Sequence, residues 1–242
     1  MNKILVLAGI ISLTFFASSC RHVKVKGEGA TKTESRSVGS FSAIQLSAPL
    51  TATIKIDPNA SPSLQLNGYG NVLHKIKSEV KNNTLIVDKD GFLDFDIDKD
   101  VTATITVPSL NSLTISGAAD ANLDGDITGN EFILKVSGAG DVKIQSVHTN
   151  TLITTLSGAG SLVIDSGTVN YASYKVTGAG DVDAYDLQCR QAKTVVSGAG
   201  DINLSASEKL DVHISGAGSV KYKGKPVVSS DINGVGSLEA ED

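Results

Sequence analysis

A five-residue phrase that ends in Asp or Ser recurs along the second half of the sequence. Two full copies, each reading Ser-Gly-Ala-Gly-Asp, begin at Ser137 and Ser197. Carboxylates that repeat at a fixed spacing are candidate ligands for Ca²⁺. The Gly-Ala-Gly core also resembles part of a dinucleotide-binding turn. The phrase therefore has to be tested for two chemistries, a column of cation sites and a nucleotide-binding turn.

The residues around the phrase argue against both chemistries. A dinucleotide turn needs a third glycine and a following helix, whereas a strand pattern follows each copy here. Calcium-binding β-rolls repeat every nine residues, which is about half of the period found here. Ser also interrupts the Asp position, so we expect turn-capping side chains that face solvent and keep a cation site as the alternative. That column reads Asp120, Asp141, Ser161, Asp181, Asp201, Ser219 and Ser237.

The spacing of the phrase is more informative than its chemistry. Successive copies are separated by 21, 20, 20, 20, 18 and 18 residues. A fixed period near twenty residues is typical of a solenoid in which each repeat forms one coil. The copies begin at Ser116, Ser137, Ser157, Thr177, Ser197, Ser215 and Asn233. The sequence therefore predicts an all-β protein built as a β-solenoid with coils of about twenty residues.

Apolar residues flank every copy of the phrase. The preceding residues are Ile115, Val136, Leu156, Val176, Val196, Ile214 and Ile232, and the following ones are Ala121, Val142, Leu162, Val182, Ile202, Val220 and Leu238. We expect both sets to form inward-facing ladders. The glycines between them are predicted to form a stacked structural turn, because glycine allows positive φ and close backbone approach. They are Gly117, Gly138, Gly140, Gly158, Gly160, Gly178, Gly180, Gly198, Gly200, Gly216, Gly218, Gly234 and Gly236.

The N-terminal residues resemble an export signal. An apolar run from Ile4 to Phe16 follows Lys3 and ends in Ala17-Ser18-Ser19-Cys20, which is similar to a bacterial lipobox. We predict a lipoprotein signal peptide over residues 1–19, a lipidated Cys20, a flexible tether over residues 20–35 and a β-solenoid over residues 36–242. The alternative is an ordinary secretory signal beside which Cys20 happens to lie.

Composition narrows the class of partner. The formal charge of the chain is −5 and becomes −6 if the leader with its single Lys3 is removed, which argues against nucleic acid as a partner.

Trp is absent and aromatic residues make up 5%, so the core is expected to be aliphatic. The second cysteine, Cys189, has no partner once Cys20 is acylated, and we expect it to be a small core residue.

One helix and one acidic row interrupt the strand patterns before the repeats. Apolar residues between Asn71 and Val80 are spaced as in a short helix, with Asn71 as the N-cap. Between Leu93 and Asp98, apolar and Asp residues alternate, which predicts a strand with a solvated acidic face. The acidic row lacks the Gly and Glu that an EF-hand loop requires.

An enzymatic function has little support in the sequence. The four histidines are scattered without ligand spacing, and we expect no metal and no cofactor. Glycoside hydrolysis needs two close carboxylates, and no paired-acid row occurs among the outward strand positions. Tyr171 and Tyr185 are the outward aromatic residues that could support a sugar ring, but we expect rim or packing roles for both.

The lipobox, the segment from Arg36 to Leu46 and the repeated Ser-Gly-Ala-Gly phrase together resemble the putative auto-transporter adhesin, head GIN domain family of Bacteroidetes. The resemblance covers about residues 36–240. It implies a right-handed parallel β-helix and an envelope lipoprotein of adhesin type, and it supplies no catalytic residue.

The sequence thus favours a lipid-anchored protein of the cell envelope, at the outer membrane of a Gram-negative bacterium. We expect it to bind a glycan, a matrix component or another envelope protein, without catalysis. A polysaccharide-active β-helix enzyme and a structural spacer without a ligand are the alternatives. Detection of reducing ends or unsaturated products from a polysaccharide panel would distinguish the enzyme from the other two.

Overall fold

The computed structural model describes residues 23–91 and 93–241, and Cys20 with the predicted signal peptide lies outside this part. Two thirds of the chain is strand and 2% is helix. Before the repeats the elements are β1 (Val23–Lys26), β2 (Thr31–Arg36), β3 (Ala43–Leu46), β4 (Thr51–Ile56), β5 (Ser63–Tyr69), α1 (Gly70–Leu73), β6 (Ile76–Lys81), β7 (Thr84–Lys89), β8 (Leu93–Asp96) and β9 (Thr102–Val107). The repeats contain β10 (Ser112–Gly117), β11 (Asp120–Gly138), β12 (Val142–Gly158), β13 (Leu162–Ile164), β14 (Gly167–Gly178), β15 (Val182–Ala184), β16 (Leu187–Gly198), β17 (Ile202–Ser205), β18 (Lys209–Ile214), β19 (Ser219–Lys223), β20 (Val227–Ile232) and β21 (Ser237–Glu241).

Stacked parallel coils form a β-solenoid, which confirms the predicted fold class. The repeated five-residue phrase forms a corner of each coil, here called the glycine corner. The strands that lead into this corner pair in register from coil to coil, and we call their stack the pre-corner sheet. It consists of β7, β3, β10, residues 131–138, 151–158, 171–178 and 191–198, β18 and β20. The strands that leave the phrase form the post-corner sheet, which runs from β9 and β4 to β19 and β21.

The order of the coils differs from the order of the chain at the N-terminal end. β3 lies between β7 and β10, and β4 lies between β9 and the first part of β11. The coil made of β7 and β9 is therefore stacked outside the coil made of β3 and β4, although it comes later in the sequence. Two antiparallel strands close this end, β6 against β7 and β5 against β9, and β2 extends the second pair.

Aliphatic ladders fill the interior, as the repeat pattern predicts. Six of the seven residues before the phrase are buried, and so are six of the seven after it. The last coil is the exception, because no further coil covers it within the described residues: Ile232 is 39% exposed and Leu238 is only partly buried. Both residues still stack on their ladders, Ile232 on Ile214 and Leu238 on Val220, so their exposure follows from the open end of the stack.

The core is not purely aliphatic. Tyr174 is 1% exposed and lies opposite Thr154 and Thr194 in the neighbouring coils. The hydroxyl groups of both threonines are buried without a hydrogen-bond partner. An unsatisfied buried hydroxyl costs about 1–3 kcal/mol.

Two predictions for the N-terminal region are wrong. The helix expected between Asn71 and Val80 is a single turn, α1, whose N-cap is Tyr69 without a side-chain hydrogen bond, and β6 follows it. The flexible tether expected over residues 20–35 contains β1 and most of β2. β1 pairs with β8, and β2 pairs with β5. These pairings satisfy backbone groups that a solvated linker would have left to water.

Candidate functional site

The glycine corner stacks coil on coil with no space for a side chain. A Cβ atom at Gly138, where φ is +134°, would lie 2.0 Å from the carbonyl oxygen of Gly117. At Gly140 a Cβ atom would lie 2.0 Å from the carbonyl oxygen of Ala119. The other predicted turn glycines occupy equivalent positions, and those from Gly158 onward meet the backbone of the preceding coil in the same way. Backbone bonds join the corners, for example from the Ala139 amide to the Gly117 carbonyl at 2.9 Å.

The Asp side chains of the column accept hydrogen bonds from the next coil. The carboxylate of Asp120 accepts a hydrogen bond from the backbone amide of Asp141 at 2.9 Å. The carboxylate of Asp141 accepts from both the amide and the hydroxyl group of Ser161, at 2.9 and 2.7 Å. Asp181 and Asp201 repeat the arrangement three coils further on. Through these bonds the Asp side chains cap the next coil. The bonds use the Oδ1 atom of each Asp, which would otherwise be available to a ligand.

The surface of the solenoid has a step, here called the ledge, where the coil shortens from 20 to 18 residues. A third short sheet, built from residues 126–129, 147–149, 167–169 and 187–189, ends there. A cavity of about 370 Å³ lies on the ledge between Gln188, Ser205 and Lys223. The change in repeat length is visible in the sequence, whereas its consequence for the surface depends on how the coils stack.

Cys189 lines the ledge without being available for reaction. Its side chain is 5% exposed, and its thiol donates a hydrogen bond to the Gln191 carbonyl at 3.0 Å. Thr149 makes the same contact with the Thr151 carbonyl two coils earlier. Burial raises the pKa of the Cys189 thiol to about 11, so the thiol remains protonated near neutral pH. The prediction that Cys189 is a small core residue is confirmed.

The acidic row of β8 faces lysines. Lys24 and Lys26 on β1 stand opposite Asp94 and Asp96 on β8, and the Tyr69 hydroxyl donates a hydrogen bond to Asp98 at 2.6 Å. Asp94, Asp96 and Asp98 are exposed, which confirms the predicted solvated acidic face. The apolar side of β8 covers a groove of about 810 Å³ whose floor includes Gly117 and Ala118.

The two outward aromatic candidates differ in exposure. Tyr171 on the pre-corner sheet is 36% exposed. Tyr185 is half-buried, and the ammonium group of Lys223 lies 4.4 Å from the centre of its ring. Tyr171 therefore keeps an accessible ring face, whereas Tyr185 is partly engaged by a cation within the protein.

A family model described as "Putative auto-transporter adhesin, head GIN domain" matches residues 40–226. The chain belongs to this family. A putative adhesin from Bacteroides fragilis is similar in structure with a TM-score of 0.85 and 28% sequence identity, over 90% of this chain and 100% of that one. No curated protein matches the sequence.

Two solved structures of lower sequence identity share the fold. A putative adhesin from Parabacteroides merdae has a TM-score of 0.72 at 18% identity, over 91% of this chain and all of its own. A putative lipid binding protein from Parabacteroides distasonis has a TM-score of 0.74 at 22% identity, over 90% of this chain and all of its own. The family and its neighbours support an adhesin-type role and a location at the cell surface or envelope.

Proposed function

We propose that this head GIN protein is a lipid-anchored envelope adhesin that binds its partner through the outward side chains of the pre-corner sheet. The observation that carries this proposal is that the corner residues and the outward residues of the sheet have different contacts. The corner residues are used in coil-to-coil contacts, while the outward residues of the pre-corner sheet differ in each coil and face solvent. Binding surfaces are typically built from variable residues on a rigid scaffold.

An anchor at Cys20 fits the capped end of the solenoid. β1 begins three residues after Cys20 and pairs with β8, next to the end that β2 and β6 close. An acylated Cys20 would hold the solenoid by this end and leave the pre-corner sheet accessible. Within residues 23–91 and 93–241, no helix has the length and hydrophobicity to cross a bilayer.

Replacement Cys20→Ser is expected to move the protein from the membrane fraction to the soluble fraction. The reason is that this change removes the thiol to which the lipid would be attached, and stable anchoring depends on acyl chains. Fractionation and immunoblotting of cells that express either form would measure the shift. Cys189→Ser is the matched control and should stay with the membrane. Retention of the Cys20→Ser form in membranes would contradict a lipid anchor.

The carboxyl groups with a shifted pKa favour binding over hydrolysis. A glycosidase acid needs a raised pKa. Among the described residues, each carboxyl group with a shifted pKa has it lowered, chiefly by a neighbouring polar side chain. These groups are Glu34, Asp90, Asp98 and Glu241, facing Lys32, Lys77, Tyr69 and Tyr185 respectively. We propose that the protein does not turn over a substrate.

Beads coated with the mature protein are expected to bind selectively within a panel of immobilised glycans, matrix proteins and outer-membrane extracts. Thr155→Glu, in the middle of the pre-corner sheet, should weaken that binding about fivefold or more, because a charge at the centre of an interface must be desolvated. Thr53→Glu on the post-corner sheet is the control, since Thr53 is also half-buried on a strand. Equal loss in both variants would place the interface elsewhere, and no selective binding would contradict the adhesin proposal.

A further inference from the structure

The middle of the pre-corner sheet carries exposed cations on strands with few or no acidic residues. Residues 151–158, 171–178 and 191–198 contain no Asp or Glu. Lys175 and Lys193 lie in the second and third of these segments, and Lys135 lies one coil before the first; all three are exposed. Within residues 23–91 and 93–241, their ammonium groups form no ion pair or hydrogen bond. We call Lys135, Lys175 and Lys193 the lysine row.

Several lysines elsewhere on the solenoid are neutralised by nearby acids. Lys143 on the post-corner sheet pairs with Asp165 at 3.0 Å, and Lys221 pairs with Glu241 at 3.4 Å. Even on the pre-corner sheet, Lys209 of the next coil pairs with an Asp at 2.8 Å. The lysine row therefore forms a local positive strip on a chain whose formal charge is −5. Such a strip attracts anionic partners despite the net charge.

The strand register sets the spacing of the row. Lys135 is opposite Thr155, and Thr155 is opposite Lys175, so the two lysines are two strand separations apart. That separation is about 9.6 Å along the solenoid axis, comparable to one disaccharide unit of an extended polysaccharide. Lys193, one coil further on, stands between Ser173 and Asp211, and Asp211 pairs with Lys209 at 2.8 Å. Lys135 and Lys175 thus line up along the axis with the Thr155 hydroxyl group between them, and Lys193 flanks this line two residues away along its strand.

An aromatic ring stands beside the row. Tyr171 lies on the same strand as Lys175, two residues before Ser173, and is 36% exposed. A tyrosine at the edge of a flat sheet offers an apolar ring face together with a polar hydroxyl group. Charged, hydroxyl and aromatic groups are therefore combined on one face that extends from coil to coil.

We propose that the pre-corner sheet binds a linear acidic polysaccharide that lies along the solenoid axis, an assignment that rests on the adhesin function proposed above. The ammonium groups of Lys135, Lys175 and Lys193 contact carboxylate or sulfate groups through charge-assisted hydrogen bonds. Thr155 and Ser173 exchange hydrogen bonds with sugar hydroxyl groups. Tyr171 stacks against one sugar ring. A polymer with one acidic group per disaccharide matches the distance between Lys135 and Lys175.

The test is binding of the mature full chain to immobilised hyaluronan, which carries one carboxylate per disaccharide, with neutral dextran as the reference. The triple change Lys135→Gln, Lys175→Gln and Lys193→Gln should weaken binding to hyaluronan by about tenfold or more, because three charged contacts are lost. The same three positions changed to Arg keep the charge and should retain binding within about threefold of the parent. The matched control is Lys55→Gln, Lys99→Gln and Lys225→Gln, which alters the net charge equally outside the row and should also bind within about threefold.

Three results would overturn the inference. These are equal binding to dextran and hyaluronan, equal weakening in the two Gln triples, and binding to vesicles of anionic phospholipid without binding to hyaluronan. Selective binding of the coated beads to another partner that survives the Gln triple in the row would also overturn it, while leaving the adhesin function intact. Absence of selective binding to any member of the panel would remove both proposals.

Discussion

Replacement Gly138→Ala is expected to lower the free energy of unfolding by about 3–5 kcal/mol. Two costs combine at this position. The backbone has φ of +134°, which residues with a Cβ atom rarely adopt, and the new Cβ atom would lie 2.0 Å from the Gly117 carbonyl oxygen. The backbone of the preceding coil cannot move away without breaking the bond from the Ala139 amide to that same oxygen. Urea unfolding followed by circular dichroism would measure the loss.

Substitutions at two further glycines distinguish the cost of backbone strain from the cost of the steric overlap. Gly129 has φ of +149° and no heavy atom within 4 Å of its Cβ position, so Gly129→Ala has the backbone strain alone and should cost about 1–2 kcal/mol. At Gly39 φ is unstrained and space is open, and Gly39→Ala should be within about 0.5 kcal/mol of the parent. A loss at Gly138 no larger than that at Gly129 would show that close stacking does not define the corner.

The solenoid was predictable because each coil repeats the same local information. Val136 and Val142 are inward for the same reason as Val196 and Ile202, and the fixed period aligns them. The Asp column could be assigned to turn capping only in general terms. Its real partners are amide groups one coil away, about twenty residues along the chain, and no local pattern identifies them.

The N-terminal cap was not predictable because its pairings are non-local and do not repeat. β1 pairs with β8, about seventy residues later in the sequence, and its short Val-Lys alternation was assigned to the linker. β2 is an edge strand of polar residues, so it lacks the apolar alternation by which strands are recognised. The spacing of Ile76 and Val80 fits a helix, but they also alternate with polar residues as a strand requires.

The lysine row shows the same limit at the candidate site. The outward direction of Lys135 followed from strand alternation, whereas its alignment with Lys175 required the register through Thr155. The lack of a charged partner depends on which acids neighbouring coils bring close, as the pair Lys143–Asp165 shows. Such information lies in the stacking of coils and not in any single repeat.

Replacement Arg36→Ala is expected to destabilise the capped end by about 3 kcal/mol, since it removes the donors of several part-buried acceptors. The guanidinium group of Arg36 donates to the Ile76 carbonyl at 2.6 Å, to the Leu73 carbonyl at 2.9 Å and to the Ser78 hydroxyl at 3.3 Å. One side chain of β2 thereby ties together the end of α1 and the start of β6. Without it, both carbonyl groups must find water or remain unsatisfied.

The loss should be local, because each part of a solenoid is stabilised mainly by its immediate neighbours. Hydrogen exchange should therefore accelerate in β2 and β6, while β14 and β16 keep their protection. Arg36→Lys should fall between the parent and Arg36→Ala, since a single ammonium group lacks the fork that reaches both carbonyls. Lys32→Ala removes only an exposed ion pair with Glu34 and should cost less than about 1 kcal/mol. Unchanged exchange in β6 of Arg36→Ala would show that the apolar contacts of α1 and β6 hold the cap without this arginine.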